Sequence, residues 1–376
     1  MCAIISIQIL KLFSYGSELG IYTHRYSTME TIQNLLVQSS TQSLLQWKEQ
    51  VKQQVSELDE LFYENSKFTQ KATENFTEKA SLIMMAKQFT SGQLNSLLML
   101  LSSENVDTIR LHAPEVIENV TVMRFVLNAN SQTLKANIDK FCKENEMDFA
   151  LMTHFPDWSK PGLVLMDMDS TTIQIECIDE IARLYGVGEQ VSAVTELAMQ
   201  GKLDFNESLR TRVSKLKGAP VSILQEVADN LPLMPGLLEL IKGLKNAGWK
   251  VAIASGGFNY FADRLKEDHG FDEAVSNALE IKDQTLTGEV HGEIVNAAVK
   301  ARTLSELAER YDIPMSQTVA IGDGANDLLM LDASAIGIAI HAKPIVQEKA
   351  PVSLNHIDLK GALCILSAAN AANSWS

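Results

Sequence analysis

This chain of 376 residues has no long hydrophobic run. Nowhere do roughly 18 apolar residues follow one another, the least that a membrane-crossing helix needs, and an ion pump is thereby excluded. Residues 1 to 13 are apolar, but Lys11 interrupts them, no basic segment precedes them, and they are too short to span a bilayer. They read as neither signal nor anchor. Met29 opens a more usual polar, helix-like stretch, so residues 1–28 are expected to be an upstream extension that adds nothing to the fold. Cysteine is scarce: Cys2, Cys142, Cys177 and Cys364 lie far apart, form no CxxC pair and show no zinc-like spacing with the seven histidines. A zinc module is excluded, and reduced thiols in the cytoplasm are expected. Positive charge is short as well, 32 Lys and Arg against 47 Asp and Glu, for a formal net charge of −15. Such a chain repels nucleic acid and anionic lipid, and no local basic patch offsets it, so neither is expected as a partner. An acidic protein that handles an anionic ligand must confine its positive charge to the site, through a metal, a few Lys or Arg, and helix N-termini.

What is present is an ordinary globular composition, 46% hydrophobic and 21% charged, in a length that holds two domains. Residues 29 to about 105 are polar and rich in Gln, Ser, Glu and Leu, with Leu44, Val51, Val55, Leu58, Leu61 and Phe62 at helical spacing, and helices are expected there. Residues 119 to 152 predict a strand (Val120, Val122, Phe125, Leu127), a helix over Ser131 to Asn145 and a second strand over Phe149 to Met152, a small α+β unit. The stretch HFPDWSKPG, His154 to Gly162, punctuates the chain as a linker does. The expected organisation is therefore a separate N-terminal helical/α+β domain at 29–158 and a second domain at 159–376.

Beyond the linker, short apolar runs alternate with helical segments: Leu163 to Met166, Val251 to Ala254, Val319 to Ile321 and Ile336 to Ile340. These are the buried strands of an α/β fold, a Rossmann-like parallel sheet with helices on both faces. About 80 residues separate the first run from the second, far more than a crossover needs. Helical patterns within 176–231 predict a helical cap inserted there, and Leu279 to Gly292 predicts a β-hairpin turning at Lys282 to Leu286. The first three strands run into DMDST from Asp167, SGG from Ser255 and GDGAND from Gly322. Ligands of open α/β sheets bind outside the carboxyl ends of the strands, so the three segments converge on one crevice.

Asp167 and Asp169 lie two residues apart in extended chain, which points both carboxylates the same way. Asp323 brings a third acid. Oxygen ligands without His or Cys make a hard-cation site, favouring Mg²⁺. A DxD alone is as readily a solvated turn, an SGG alone is weak, and a lysine such as Lys300 in a helical stretch is ordinarily solvated. Together, at corresponding strand ends, they form one constellation.

In this order DMDST, SGG, Lys300 and GDGAND resemble the four motifs of the haloacid dehalogenase superfamily of phosphatases, over about residues 160 to 350. More closely, DMDSTTIQIECIDEIA, LDFNESLRTRVSKLKG and IASGGF resemble the phosphoserine phosphatase family within it. The resemblance implies Mg²⁺-dependent hydrolysis of O-phospho-L-serine, the last step of serine biosynthesis, through an aspartyl phosphate. It implies Asp167 as nucleophile, Asp169 as acid and then base, and metal ligation by Asp167, Asp323 and the Asp169 carbonyl, with Asp327 orienting that shell. Ser255, Gly256, Lys300 and Asn326 would hold phosphate, Glu176 the substrate amine and Arg212 its carboxylate, with Arg210 a near neighbour of the clamp and Phe205 a wall.

Two alternatives stay open at this point: a related phosphatase for another small phosphorylated amino or hydroxy acid, and an amino-acid-sensing regulatory protein whose phosphatase core is incidental. The β-α-β pattern of 119–152 is compatible with such a regulatory fold by analogy alone. Oligomeric state is open, a homodimer included.

Overall fold

The computed structural model describes residues 29–55, 58–72, 76–370 and 375; the extension expected over 1–28 lies outside the described residues. The chain divides into two compact units, Met1–Met147 with Ala371–Ser376, and Asp148–Asn370.

In the first unit, a helix over 29–38 (α1) precedes α2 (Leu44–Gln54), α3 (Ser91–Ser103) and α4 (Gln132–Asn145). Side-chain caps start α2 to α4: Ser43 with Gln46, Thr90 with Gln93, and Ser131, each satisfying an amide that the first turn leaves free. The strands are β1 (Leu61–Glu64), β2 (Lys67–Thr69), β3 (Ala80–Ala86), β4 (Thr108–Leu111), β5 (Glu115–Ile117) and β6 (Val120–Leu127). They pair antiparallel in the order β2-β1-β4-β6-β3, with β5 also on β6. The helical expectation for 29–105 thus fails between Val55 and Ala86. All seven residues of β3, ASLIMMA, are buried, as are all four of β1; a short continuous apolar run buried on both sides is a strand, whereas a helix of that length would leave one face to water. Near the chain end, Trp375 stacks edge-on against Trp47 with centroids 5.7 Å apart and donates its indole N–H to the Leu111 carbonyl at 2.9 Å.

The second unit opens with β7 (Asp148–Met152), ahead of the linker segment. Its Phe149 is paired with Ser353, and the Asp148 carboxylate accepts the amides of Asn355, His356 and Ile357 at 2.9, 3.0 and 2.7 Å. The remaining strands are β8 (Leu163–Met166), β9 (Lys250–Phe258), β10 (Glu273–Lys282), β11 (Thr285–His291), β12 (Thr318–Gly322), β13 (Ile336–Ile340) and β14 (Val352–Leu354). Their order is β11-β10-β9-β8-β12-β13-β14-β7, parallel from β10 through β14. This is the α/β, Rossmann-like core expected from the apolar runs.

Leu163, Leu165, Ala252, Ala254 and Ala320 bury one face of that sheet against α11 (Ala297–Arg310), α12 (Leu328–Ala333) and α13 (Pro344–Lys349). The alternating residues Val164, Val251, Ile253, Val319 and Ile321, equally buried, point to the other face. There α9 (Leu237–Asn246) lies on β9 and against α14 (Lys360–Asn370), with Gly243 so close that a Cβ would come within 2.7 Å of Leu363. The chain leaves β8 to one side for β9 and β10 (with α10, Asn259–His269, between them) and crosses back for β12. Strand β8 therefore stands at the switch point of the sheet.

The insertion between β8 and β9 carries α5 (Cys177–Tyr185), α6 (Gly188–Met199), α7 (Phe205–Lys215) and α8 (Ser222–Ala228). Asp204 and Glu207 box the start of α7. The hairpin β10–β11 turns through Asp283 and Gln284, both left-handed at φ 50° and 61°. It is bonded to the loop between α7 and α8: Gly218 N–H to Leu286 O and Leu286 N–H to Ala219 O, each 2.8 Å, and Val221 N–H to Gln284 O at 3.0 Å.

Candidate active site

A pocket of about 330 Å³ opens at the carboxyl ends of β8, β9 and β12. Asp167, Asp169, Glu176, Arg212, Ser255, Gly256, Asp323 and Asn326 all line it; Lys300 lies buried beneath. The residues expected from three strand ends and the helical insertion are thus brought together. Arg212 faces the pocket, whereas Arg210 is exposed and does not line it.

The floor is a network of charges. Asn296 caps α11 by accepting the amides of Ala298 and Val299, which sets the first turn so that Lys300 runs inward. Its Nζ lies 2.7 Å from Asp167 Oδ1 and 2.8 Å from Asp327 Oδ1. The other oxygen of Asp327 accepts the amides of Asp323 and Gly324 at 3.2 and 2.9 Å, which shapes the GDGAND turn. Gly322 is required there, because a Cβ would overlap the Asp327 carboxylate. Thr171 donates to Asp323 Oδ1 at 3.3 Å and Thr172 to the Asp167 carbonyl at 2.6 Å.

Carboxylate oxygens of Asp167, Asp323 and Asp327 lie within 4.8 Å of one another. Burial and the neighbouring Asp327 push the Asp167 carboxyl well up, with Lys300 opposing. Burial, Asp327 and Glu176 push Asp323 up to about 6, and burial with the nearby Glu176 pushes Asp169 up to about 7. Desolvated like charges at this separation call for a cation beyond Lys300, and an all-oxygen donor set of this kind fits a hard divalent ion. The carboxylate of Asp169 is not in that cluster. Its Oδ1 instead accepts the Cys177 amide at 3.3 Å.

Strand β9 runs on through Ser255, Gly256 and Gly257 rather than stopping at Ala254. The Asn277 side chain holds this end by donating to Gly256 O at 2.8 Å and accepting from the Val295 amide at 2.9 Å. A Cβ on Gly257 would come within 2.8 Å of Asp169 Oδ2, and one on Gly256 within 2.7 Å of the Phe205 ring. The backbone is bare where a ligand must approach it.

The opposite wall is different. Glu176, at the start of α5, accepts the Ser170 hydroxyl at 2.9 Å and is otherwise exposed. Arg212, half-buried on α7, makes no hydrogen bond or ion pair among the described residues, and its Nε is buried without a partner. Burial lowers its pKa while Asp179, Glu176 and Asp169 hold it up.

A family model for haloacid dehalogenase-like hydrolases matches residues 161–334, the segment that carries every motif of the floor. A phosphoserine phosphatase of Vibrio cholerae is 47% identical over 310 residues, 82% of this chain and 92% of that protein. The chain belongs to the phosphoserine phosphatase family. The phosphoserine phosphatase of Haemophilus influenzae is 57% identical over 229 residues, 61% of this chain and 73% of its own length. The crystal structure of a probable phosphoserine phosphatase from Vibrio cholerae, unliganded, superposes with a TM-score of 0.70 at 46% identity, covering 81% of this chain and 93% of the other.

Several residues that carried no site expectation also line this family member's pocket: Ile178 and Leu209 from the helical pattern of the cap, and Asp179, Phe258 and Lys343. Asp179 follows Glu176 by three residues and so shares a helix face with it, a spacing that could have been read. Lys343 comes just after the fourth apolar run, whose carboxyl end borders the same crevice. Cys177 carried no legible signal, since its contribution is a backbone amide.

Proposed function

We propose that this chain is a Mg²⁺-dependent phosphatase of O-phospho-L-serine, working through a phospho-aspartate on Asp167 in the last step of serine biosynthesis. The observation that carries the reading is the pairing of Lys300 with Asp167 and Asp327 at 2.7 and 2.8 Å below a pocket into which Arg212 turns without a partner. One end is built for a reacting phosphate and the other for a carboxylate.

Asp167 attacks phosphorus as its carboxylate, and the bond from phosphorus to the serine oxygen breaks. Asp169, whose carboxyl is held up to about 7 by burial and by Glu176, gives its proton to that oxygen. As a carboxylate it then takes a proton from the water that attacks the phospho-aspartate, releasing phosphate and restoring Asp167. Ser255 and the Gly256 amide hold the phosphoryl oxygens, Asn326 borders them, and Lys300 fixes the nucleophile. A magnesium ion, which Asp167, Asp323 and the Asp169 carbonyl would hold, supplies the screening that lets a carboxylate meet a phosphate dianion. Asp327 orients that set. Glu176 pairs with the substrate amine, Arg212 with its carboxylate, and Phe205 walls the pocket.

The domain reading belongs to the same proposal: phosphatase chemistry in 159–376 under the helical cap, beside a separate N-terminal helical/α+β domain at 29–158. The buried cysteines Cys142, Cys177 and Cys364 suit the reducing cytoplasm. Among the described residues no helix is long and apolar enough to cross a membrane.

The test is phosphate release from phosphoserine beside phosphothreonine, phosphoethanolamine and an aryl phosphate, with Mg²⁺ and with chelator. A strong preference for phosphoserine that disappears with chelator is expected; metal-dependent turnover without preference would leave the nucleophile and remove the substrate assignment.

A further inference from the structure

Of the charged residues that line the pocket, five are acids and two are cations, Arg212 and Lys343. Arg212 is half-buried on the helical insertion; Lys343 is exposed, on the opposite side, where β13 gives way to α13. Its backbone is fixed by the following Pro344 and by its amide bond to the Asp323 carbonyl at 3.4 Å. Half-buried lysines elsewhere in this unit hold acidic partners, Lys250 with Asp272 at 3.0 Å and Lys266 with Glu273 at 3.2 Å, and what sets Lys343 apart from exposed lysines such as Lys242 and Lys282 is its place on the pocket wall. Lys343 has no ion pair among the described residues, although its charge reaches Asp323 and stabilises that carboxylate. An uncommitted cation beside the metal-side acids, in a chain of net charge −15, has two opposite effects. It draws a phosphate dianion toward a pocket whose acids repel it, and it weakens the hold of those acids on a divalent cation.

We propose that Lys343 is a capture residue, steering phosphorylated substrate into the pocket while moderating the affinity of the Asp167–Asp323 cluster for its metal. The inference rests on the phosphatase reading for its first half only. Steering falls with ionic strength because the interacting charges lie in water for most of the approach. A lysine with a merely structural role would not show that dependence.

The experiment uses the full chain with Lys343→Met and Lys343→Arg. Phosphoserine turnover is followed across ionic strength, and Mg²⁺ binding to metal-free protein is measured by calorimetry without substrate. In the Met variant kcat/KM should fall about five-fold or more at low salt and converge on wild type at high salt, while Mg²⁺ binds about three-fold more tightly. The Arg variant should restore both. Unchanged kcat/KM in the Met variant, a loss that ignores salt, or unchanged Mg²⁺ affinity overturns the proposal. If wild type does not hydrolyse phosphoserine, the functional reading falls instead, and the calorimetry alone decides the effect of this charge on the metal.

Discussion

At the strand ends the reactive groups are committed to one another before any ligand arrives, whereas on the helical insertion Arg212 waits without a partner. Lys300 grips Asp167 and Asp327, and Asp327 in turn grips the amides of the GDGAND turn. Charges held in place in this way need no rearrangement as phosphoryl transfer proceeds. An unpaired half-buried guanidinium is costly until a ligand completes it, so the ligand that does so gains the most. On the proposed reading, chemistry is preorganised on one wall, and recognition is left incomplete on the other.

Replacing Asp167 with Asn should give the largest effect, a loss of turnover of about 10⁴-fold or more, because an amide cannot form the acyl phosphate. Quench of a labelled substrate should trap phosphoprotein from wild type and none from the variant. Lys300→Ala tests commitment on that wall: it leaves two buried acids unpaired and should cost about 3–5 kcal/mol in urea unfolding at pH 7 as well as activity. Arg212→Met is the counterpart. It should lower kcat/KM for phosphoserine about 10²-fold yet leave phosphoethanolamine turnover nearly untouched and unfolding no easier, since in the free protein the guanidinium makes no ion pair or hydrogen bond that would be lost. Equal destabilisation by Lys300→Ala and Arg212→Met would erase the contrast between the walls. The smallest effect is set where the walls meet. Gly256→Ala pushes a methyl at the Phe205 ring and should cost about ten-fold in kcat/KM, with Phe205→Leu in the same chain recovering most of it.

The floor of the site was legible because each acid follows an apolar strand whose end must point into the crevice, and Ser255 and Lys300 were named through the family resemblance and their place among its motifs. Arg212 could be named, but its choice over Arg210 depends on the helical rotation of α7, which spacing alone does not fix. Lys343 was missed because an exposed lysine carries no pattern until its neighbours are known. In the first unit, β1 and β3 were hidden among helix-favouring residues. Leu61 and Phe62 continue the helical spacing from Leu44 in number only, and pairing with distant β4 and β6 decides their state.

The three backbone bonds between the hairpin and the α7–α8 loop bear on how such a protein can be rebuilt. The helical insertion and the hairpin are far apart in sequence, yet neither has a complete set of amide partners without the other. A chimaera that takes substrate preference from a relative by exchanging the helices alone would strand Gly218, Leu286 and Val221, so the transferable module is discontinuous, the two inserts moved together.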